Sequence, residues 1–387
     1  MVKKTSKKHI LKNLTIKNFR CFENFHLKDL KRINIFVGDN NSGKSSVLEA
    51  VGFLSPDLED YLKILKSRGK SGVQYHGFPY PLYMNKLFPD LNSLFYKKTS
   101  SEVININAEF KNEKEEKSSF LVDLKMNITN KIENFVEENF IREEIHNEIK
   151  NNNIKSKTFI ANYQFNNEKN IHKIGFSSFG TYDLAIKNFH EYQVIFLSDE
   201  IPTIRETIEK WSKLKELANL KESNDIDEKY LKIVQNFEKD LKKIELVNEG
   251  LIFRKPDFNI DLSDMGNGFK KFFDIILTID LASKRDVPTL LCIDEIDNGL
   301  YYDKQDVFWE QIIKLCEEKN IQLFATTHSY DCLKSIVRVF ENRYKTDEKI
   351  DEELAVFRLV KVKNEVRARP FYFSLLKVMV ESSTEIR

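Results

Sequence analysis

The sequence predicts an α/β protein with a mixed sheet built from both ends of the chain, an antiparallel β lobe between them, and an inserted helical hairpin. Three observations carry this prediction. Continuous apolar runs at Ile33–Val37, Thr289–Ile293 and Ile321–Thr326 are the pattern of parallel strands covered on both faces. Strict alternation over 103–110 and 120–128 is the pattern of antiparallel strands with one solvated face. Helical spacing of apolar residues over 204–217 and again over 231–244 marks two amphipathic helices.

In chain order, residues 14–19 alternate like a strand, and Ile33–Val37 follows as a buried one. Residues 55–95, rich in Pro, Gly and Tyr, take no assignment. Over 103–110, Ile104, Ile106, Ala108 and Phe110 share one face, with Asn105, Asn107 and Glu109 on the other. Phe120, Val122, Leu124 and Met126 repeat the pattern, and the charged stretch 111–117 reads as the hairpin loop between them. Residues 130–150 read as a helix with Ile132, Phe135, Phe140, Ile145 and Ile149 near one face, and strand-like segments return at 158–165 and 193–197. The first hairpin helix sets Ile204, Ile208, Trp211, Leu214 and Leu217 in line, the second Leu231, Val234, Phe237, Leu241 and Ile244. At ~1.5 Å per residue each spans only about 25 Å, too short for a coiled-coil arm. The expected division is a core from 1–60 and 250–387, a β-rich lobe over 95–200 and the hairpin over 201–249. The hairpin is expected to pack over the β lobe, with docking of a partner as the alternative.

Composition bounds the function. A net charge of +1 over 387 residues supplies no global field for nucleic acid, so any such contact needs a local patch. Cys21, Cys292, Cys316 and Cys332 form no metal-ligand spacing, and Cys292 inside an apolar strand reads as a core residue. No apolar run reaches the ~18 residues of a membrane span. The basic start, Met1 to Lys8, leads into no apolar region, so the expected compartment is a reducing cytoplasm.

The motifs carry the chemistry. Gly38-Asp39-Asn40-Asn41-Ser42-Gly43-Lys44-Ser45 fits G-x-x-x-x-G-K-[ST], between a buried strand and a helix that opens at Ser46. Backbone N–H groups of such a loop cradle phosphate oxygens, and the following helix aims its N-terminus at the anion. Gly38, Asn40, Asn41, Ser42, Gly43, Lys44, Ser45 and Ser46 are therefore the candidate nucleotide contacts. Lys44 supplies charge to the β- and γ-phosphates, and the Ser45 hydroxyl is a ligand for Mg2+. The strand 289–293 runs into Asp294-Glu295, at the strand end where α/β sheets bind ligands. Asp294 is assigned to Mg2+ through water, and Glu295 to the attacking water as base. His328, just past the strand 321–326, is placed to reach the γ-phosphate. Leu262-Ser263-Asp264-Met265-Gly266-Asn267-Gly268 precedes a Phe-rich helix and offers a second hydroxyl and helix N-terminus to an anion. Of only 12 glycines, Gly38, Gly43, Gly266, Gly268 and Gly299 fall in these motifs, which favours function over chance turns.

Together, LTIKNFRCFENFHL, GDNNSGKSS, LSDMGNGFKKFF, LLCIDEIDNGL and FATTHS resemble the N-terminal, Walker A, signature, Walker B with D-loop, and H-loop segments of ABC-type ATPase heads of the SMC/RecF/OLD group. The likeness is strongest to compact members of the AAA-15 or AAA-21 type, whose short C-terminal segment resembles 370–387. The resemblance implies a P-loop NTPase fold of ABC-ATPase type that hydrolyses ATP with Mg2+. It also implies a head-to-tail homodimer in which Lys44, Ser45, Asp294 and Glu295 of one subunit face Ser263 and Gly266 of the other. Gly268 belongs to the same signature, Asp297 would link the two sites, and Arg20 matches a position that approaches nucleotide. The signature is not LSGGQ, which counts against a transporter subunit. Gln74 and Gln164 are the candidates for the Q-loop glutamine, without support for either. No Toprim segment is expected after 345, nor a zinc hook. Two functions follow from the resemblance. One is a dimerising switch that controls a separate effector, a nuclease or toxin, in bacterial anti-phage defence. The other is a RecF-like ATPase that clamps DNA. A nucleotide-bound scaffold with little turnover is the non-enzymatic reading, and Glu295 argues against it.

Overall fold

The computed structural model describes residues 10–55, 94–98, 103–111, 117–129, 156–166, 172–177, 180–184, 192–218, 223–248, 250–285, 287–363 and 365–382. The helix expected over 130–150 and the candidate Gln74 lie outside the described residues.

Strands β1 (Ile10–Phe19) and β2 (Phe22–Leu27) form a hairpin ahead of β3 (Ile33–Val37) and helix α1 (Lys44–Gly52). Strands β4 (Ile104–Lys111), β5 (Lys117–Thr129), β6 (Ser156–Phe165), β7 (His172–Ser177) and β8 (Gly180–Leu184) follow, then β9 (Gln193–Leu197). Helices α2 (Ile204–Leu217) and α3 (Ser223–Gln235) lead to the short strands β10 (Lys243–Val247), β11 (Gly250–Arg254) and β12 (Asn259–Asp261). Helix α4 (Asn267–Ala282), β13 (Thr289–Ile293), α5 (Gln305–Glu318), β14 (Ile321–Thr326) and α6 (Tyr330–Arg343) come next. The chain then runs through α7 (Asp347–Glu353), β15 (Leu354–Val362), β16 (Glu365–Phe371) and α8 (Phe373–Glu381).

The central sheet has the order β16-β15-β3-β14-β13-β9. Every neighbouring pair in it is parallel except β15–β16. The continuous apolar runs have a direct cause, because this sheet is covered twice. Ile33, Ile35, Val37, Leu291, Ile293, Leu323 and Ala325 face one core with α4, α5 and α6. Phe36, Leu290, Cys292 and Phe324 face a second core that holds α1. The alternating strands form a seven-stranded antiparallel sheet, β2-β1-β4-β5-β6-β7-β8, whose Leu14, Ile16, Ile104, Ile106 and Ala108 close over α1 from the other side.

Two boundaries differ from expectation. β1, assigned above with β2 to the 1–60 part of the core, pairs with both β2 and β4 in the antiparallel sheet. β9, assigned above to the lobe, pairs in parallel with β13 at the edge of the central sheet. Alternation reports that a strand has one dry face, and says nothing about which sheet it joins.

The hairpin also differs. α2 begins as expected from its sequence, with Thr203 and Glu206 forming a capping box. α3 ends at Gln235, and Ile244 lies in β10, paired with Phe253 of β11. Leu241 and Ile244 are buried, so a turn followed by a strand reproduced the spacing of one more helical turn. The hairpin packs on α4, where Trp211 and Tyr230 lie against Phe273. Asp274 of α4 accepts from Thr207 Oγ1 at 3.2 Å and Lys210 Nζ at 2.6 Å, and Asp280 accepts from Tyr230 OH at 2.5 Å and from Lys229. Among the described residues no helix is long and apolar enough to cross a membrane.

Candidate nucleotide site

The site forms at the carboxyl ends of β3, β13, β14 and β9, whose parallel register brings four following loops together. After β3 the chain turns sharply, with Gly38 at φ 138° and Gly43 at φ 101°. A Cβ at Gly38 would meet Leu359 O at 2.5 Å, and one at Gly43 would meet Cys21 Sγ at 2.8 Å, so the loop admits glycine alone at both positions. α1 starts at Lys44 with no side-chain cap, which leaves its first N–H groups directed at the loop. Ser42 Oγ is buried with no hydrogen-bond partner among the described residues, and Lys44 Nζ donates to Gly38 O and Asp39 O, both at 2.8 Å. This is the donor set and shape of a phosphate cradle.

Past β13, a single hydroxyl organises the acids. Thr326 Oγ1 at the end of β14 donates to Asp294 Oδ1 at 2.5 Å and accepts from the Glu295 N–H at 2.8 Å. Glu295 has φ 46°, a left-handed conformation that costs a non-glycine residue about 1–2 kcal/mol. Its N–H and the Ile296 N–H, which donates to Thr326 O at 3.0 Å, hold that turn.

Two adjoining cavities meet over these residues. One of about 750 Å3 is lined by Arg20, Asn40, Asn41, Gly43, Lys44, Ser45, Ser46, Asp294, Glu295 and His328, together with Cys21, Glu49, Phe196, Ser198 and Asp199. The other, of about 720 Å3, is lined by Gly38, Asp39, Asn40, Glu295, Asp297, Asn298, Gly299, His328 and Ser329. Either volume falls in the ~300–1,000 Å3 range of ligand pockets. Burial pulls the Lys44 ammonium below its ordinary pKa, and Asp294, Asp39 and Glu295 offset part of that shift. Burial, with Lys44 nearby, also lowers the His328 imidazole, against the pull of Glu295, Asp297 and Asp294. The shift favours the neutral imidazole, which can donate one hydrogen bond without competing with Lys44 as a cation. Among the described residues no group of three or more His, Cys, Asp or Glu could hold a metal. The oxygens of Ser45 and Asp294 suit Mg2+ instead, a hard ion that takes one or two protein oxygens and completes its shell with phosphate and water.

Residues 33–331 match the model of a family described as "AAA domain, putative AbiEii toxin, Type IV TA system". The chain belongs to this family. A protein of Helicobacter pylori (strain ATCC 700392 / 26695) named ATP/GTP phosphatase is 23% identical over 361 residues, 86% of this chain and 89% of that one. The DNA replication and repair protein RecF of Lactococcus lactis subsp. cremoris (strain MG1363) is 44% identical over 45 residues, 12% of each chain. Among solved structures, the SMC head domain from Thermotoga maritima is similar with a TM-score of 0.43 and 12% identity, over 93% of this chain and 98% of that one. A Pyrococcus furiosus Smc head bound to the C-terminal domain of ScpA gives 0.41 and 11%, over 97% and 100%. The family match makes this chain an AAA-type ATPase, on the mixed α/β fold that its motifs led us to expect.

The structure unites the Walker A, Walker B and H-loop residues and Arg20, and leaves the signature apart. Arg20 lies at the cavity wall, its Nε donating to Glu49 Oε2 of α1 at 2.9 Å. Ser263, Gly266 and Gly268 line neither cavity. Ser263 and Gly266 are exposed, and a Cβ at Gly266 would meet none of the described residues within 4 Å. Gly268 is buried against the 297–299 turn, where its Cβ would lie 2.5 Å from Gly299 O. Gln164 lies in β6, and neither cavity lining includes a glutamine. Sequence reasoning missed Asp199, although an apolar strand running into Ser198-Asp199-Glu200 repeats the pattern that revealed Asp294. It also missed Thr326 and Lys271, which carry no motif.

Proposed function

We propose that this ATPase is a dimerising switch whose two ATP sites are each completed by the signature segment of a second copy. Lys44 and the loop amides hold the phosphates, Glu295 deprotonates the attacking water, and neutral His328 donates to the γ-phosphate. Ser45 Oγ and, through water, Asp294 would hold magnesium, which when bound would supply positive charge to the phosphoryl group. Ser263 and the uncapped start of α4 at Gly266 face the γ-phosphate of the partner, Asp297 links the two sites, and Arg20 stands beside the nucleotide. The observation that carries this reading is the exposed Gly266. Among the described residues it has no close neighbour, and its φ of −59° is ordinary, so nothing in the described monomer demands a glycine there.

The test is the mass of Glu295→Gln with Mg·ATP, by light scattering. A dimer that forms with ATP and not with ADP supports the reading, and a monomer at all nucleotide conditions refutes it. The variant should also hydrolyse about 10²–10⁴-fold more slowly.

The chain holds a motor and no second catalytic centre among its described residues, so we assign the output to a separate effector, a nuclease or toxin, in anti-phage defence. Phage plating with and without the neighbouring gene tests it; protection by the ATPase alone would exclude a separate effector. The alternative is a DNA clamp, favoured by the short RecF-like stretch and by Lys361, Lys363, Arg367 and Arg369, all exposed on the β15–β16 hairpin. That reading predicts turnover stimulated by duplex DNA, with steep salt dependence.

A further inference from the structure

Lys271 lies in the second turn of α4 and is only 3% exposed. Its neighbours on the helix, Phe269, Phe272, Phe273, Ile275 and Ile276, are core residues, so a Leu or Met would fill the position without the cost of burying an ammonium. The ammonium instead reaches across to the acid loop after β13. It donates to Glu295 O and lies 3.5 Å from Asp294 O. Glu295 O also accepts from the Asn298 N–H at 2.9 Å, which closes the turn leading to Asp297 and Gly299. One helical turn earlier, Gly268 lets the start of α4 close onto Gly299.

Glu295 is thus held at both ends by side chains of two other elements. Thr326 of β14 holds its N–H, and Lys271 of α4 holds its carbonyl, with the residue between them in a left-handed conformation. The same helix has Gly266 as its N-cap, follows the short turn that holds Ser263, and is bound to the α2–α3 hairpin through Asp274 and Asp280.

We propose that Lys271 is a positioning residue for ATP hydrolysis, holding the Glu295 backbone so that its carboxylate stays aimed into the cavity and follows the placement of the signature helix. This rests on Glu295 being the base. Lys271 lines neither cavity, so it acts through Glu295 without touching nucleotide. Burial lowers its pKa, and Asp297, Glu295, Asp199 and Asp294 offset part of the shift, as expected for an internal cation facing the acids from behind.

The experiment is a double-mutant cycle with Lys271→Met and Glu295→Gln, read as single-turnover hydrolysis of ATP, with binding of a fluorescent ATP analogue measured in parallel. Lys271→Met should lower the hydrolysis rate about 10²-fold, the loss typical of a displacement near 1 Å. Affinity for the analogue should stay within about threefold, and Lys271→Arg should recover at least a tenth of the parental rate. In the Glu295→Gln background Lys271→Met should cost less than about threefold more, because the group it positions is already gone. An equal loss in both backgrounds would overturn the proposal, as would a parental rate in Lys271→Met. A parental rate in Glu295→Gln alone would instead overturn the base assignment. Should Lys271→Met fail to fold, Lys271→Leu, which also removes the donor and suits the apolar surroundings, carries the same cycle with the same outcomes.

Discussion

Gly266 and Gly268 stand two residues apart, and the structure predicts opposite outcomes for alanine at each. At Gly268 the new Cβ would lie 2.5 Å from Gly299 O, against an ordinary contact of 3.4 Å, and both atoms belong to packed main chain. Either the start of α4 or the 297–299 turn must therefore retreat by about 0.9 Å. Overpacking of this kind costs about 1–3 kcal/mol, a drop of a few degrees in melting temperature. The same shift moves the loop that carries Glu295 and Asp297, at a cost of about 10²-fold in turnover. At Gly266 the added methyl meets none of the described residues within 4 Å, and the backbone at φ −59° suits any residue. Gly266→Ala should keep the parental melting temperature and ATP affinity, yet lose about tenfold or more in turnover, because in the proposed dimer the methyl stands where the partner's phosphate must approach. Differential scanning fluorimetry and steady-state phosphate release read both variants. Parental stability and turnover in Gly268→Ala would refute the packing of α4 on the turn. Destabilisation of Gly266→Ala to the same degree would refute the assignment of that surface to a second copy.

Lys44→Ala should lose phosphate binding, seen as loss of fluorescent ATP analogue binding, with no ATP-dependent dimer by light scattering. Thr326→Val keeps volume but strips the Asp294 carboxylate and the Glu295 N–H of their shared partner, at about 1–3 kcal/mol, so turnover should fall about 10- to 100-fold. Burial works to raise the Asp280 carboxyl, but hydrogen bonds from Lys229 and Tyr230 outweigh it and hold its pKa below the ordinary value. Its contribution to stability is therefore present above about pH 4 and lost as pH falls through the lowered value. Asp280→Asn should be about 1–3 kcal/mol less stable at pH 7 and show a shallower loss of stability below pH ~4, measured by denaturant unfolding across pH.

The parts legible in the sequence were those with local causes. Buried parallel strands leave unbroken apolar runs, and Gly38, Gly43, Lys44 and Ser45 announce their loop because phosphate binding needs those residue types within eight positions. Sheet membership was not legible, since β1 alternates equally well in either sheet and β9 pairs with a strand nearly 100 residues away. Leu241 and Ile244 satisfied a helical period while belonging to a turn and a strand. Thr326 and Lys271 were invisible for a different reason. Their work is done by hydrogen bonds across elements, to the acid loop 32 and 24 residues away along the chain, and a lone Thr or Lys carries no pattern.

The central claim is that each reaction pocket is assembled from two chains, and mixing two dead variants tests it most directly. Lys44→Ala ruins the loop half of a site, and Ser263→Arg ruins the signature half. A mixed dimer then keeps one site in which both halves are intact. The account predicts that each variant alone is inactive, and that an equal mixture recovers up to about a quarter of parental ATPase activity, half the dimers being mixed with one working site of two. A mixture no more active than its separate components would contradict it.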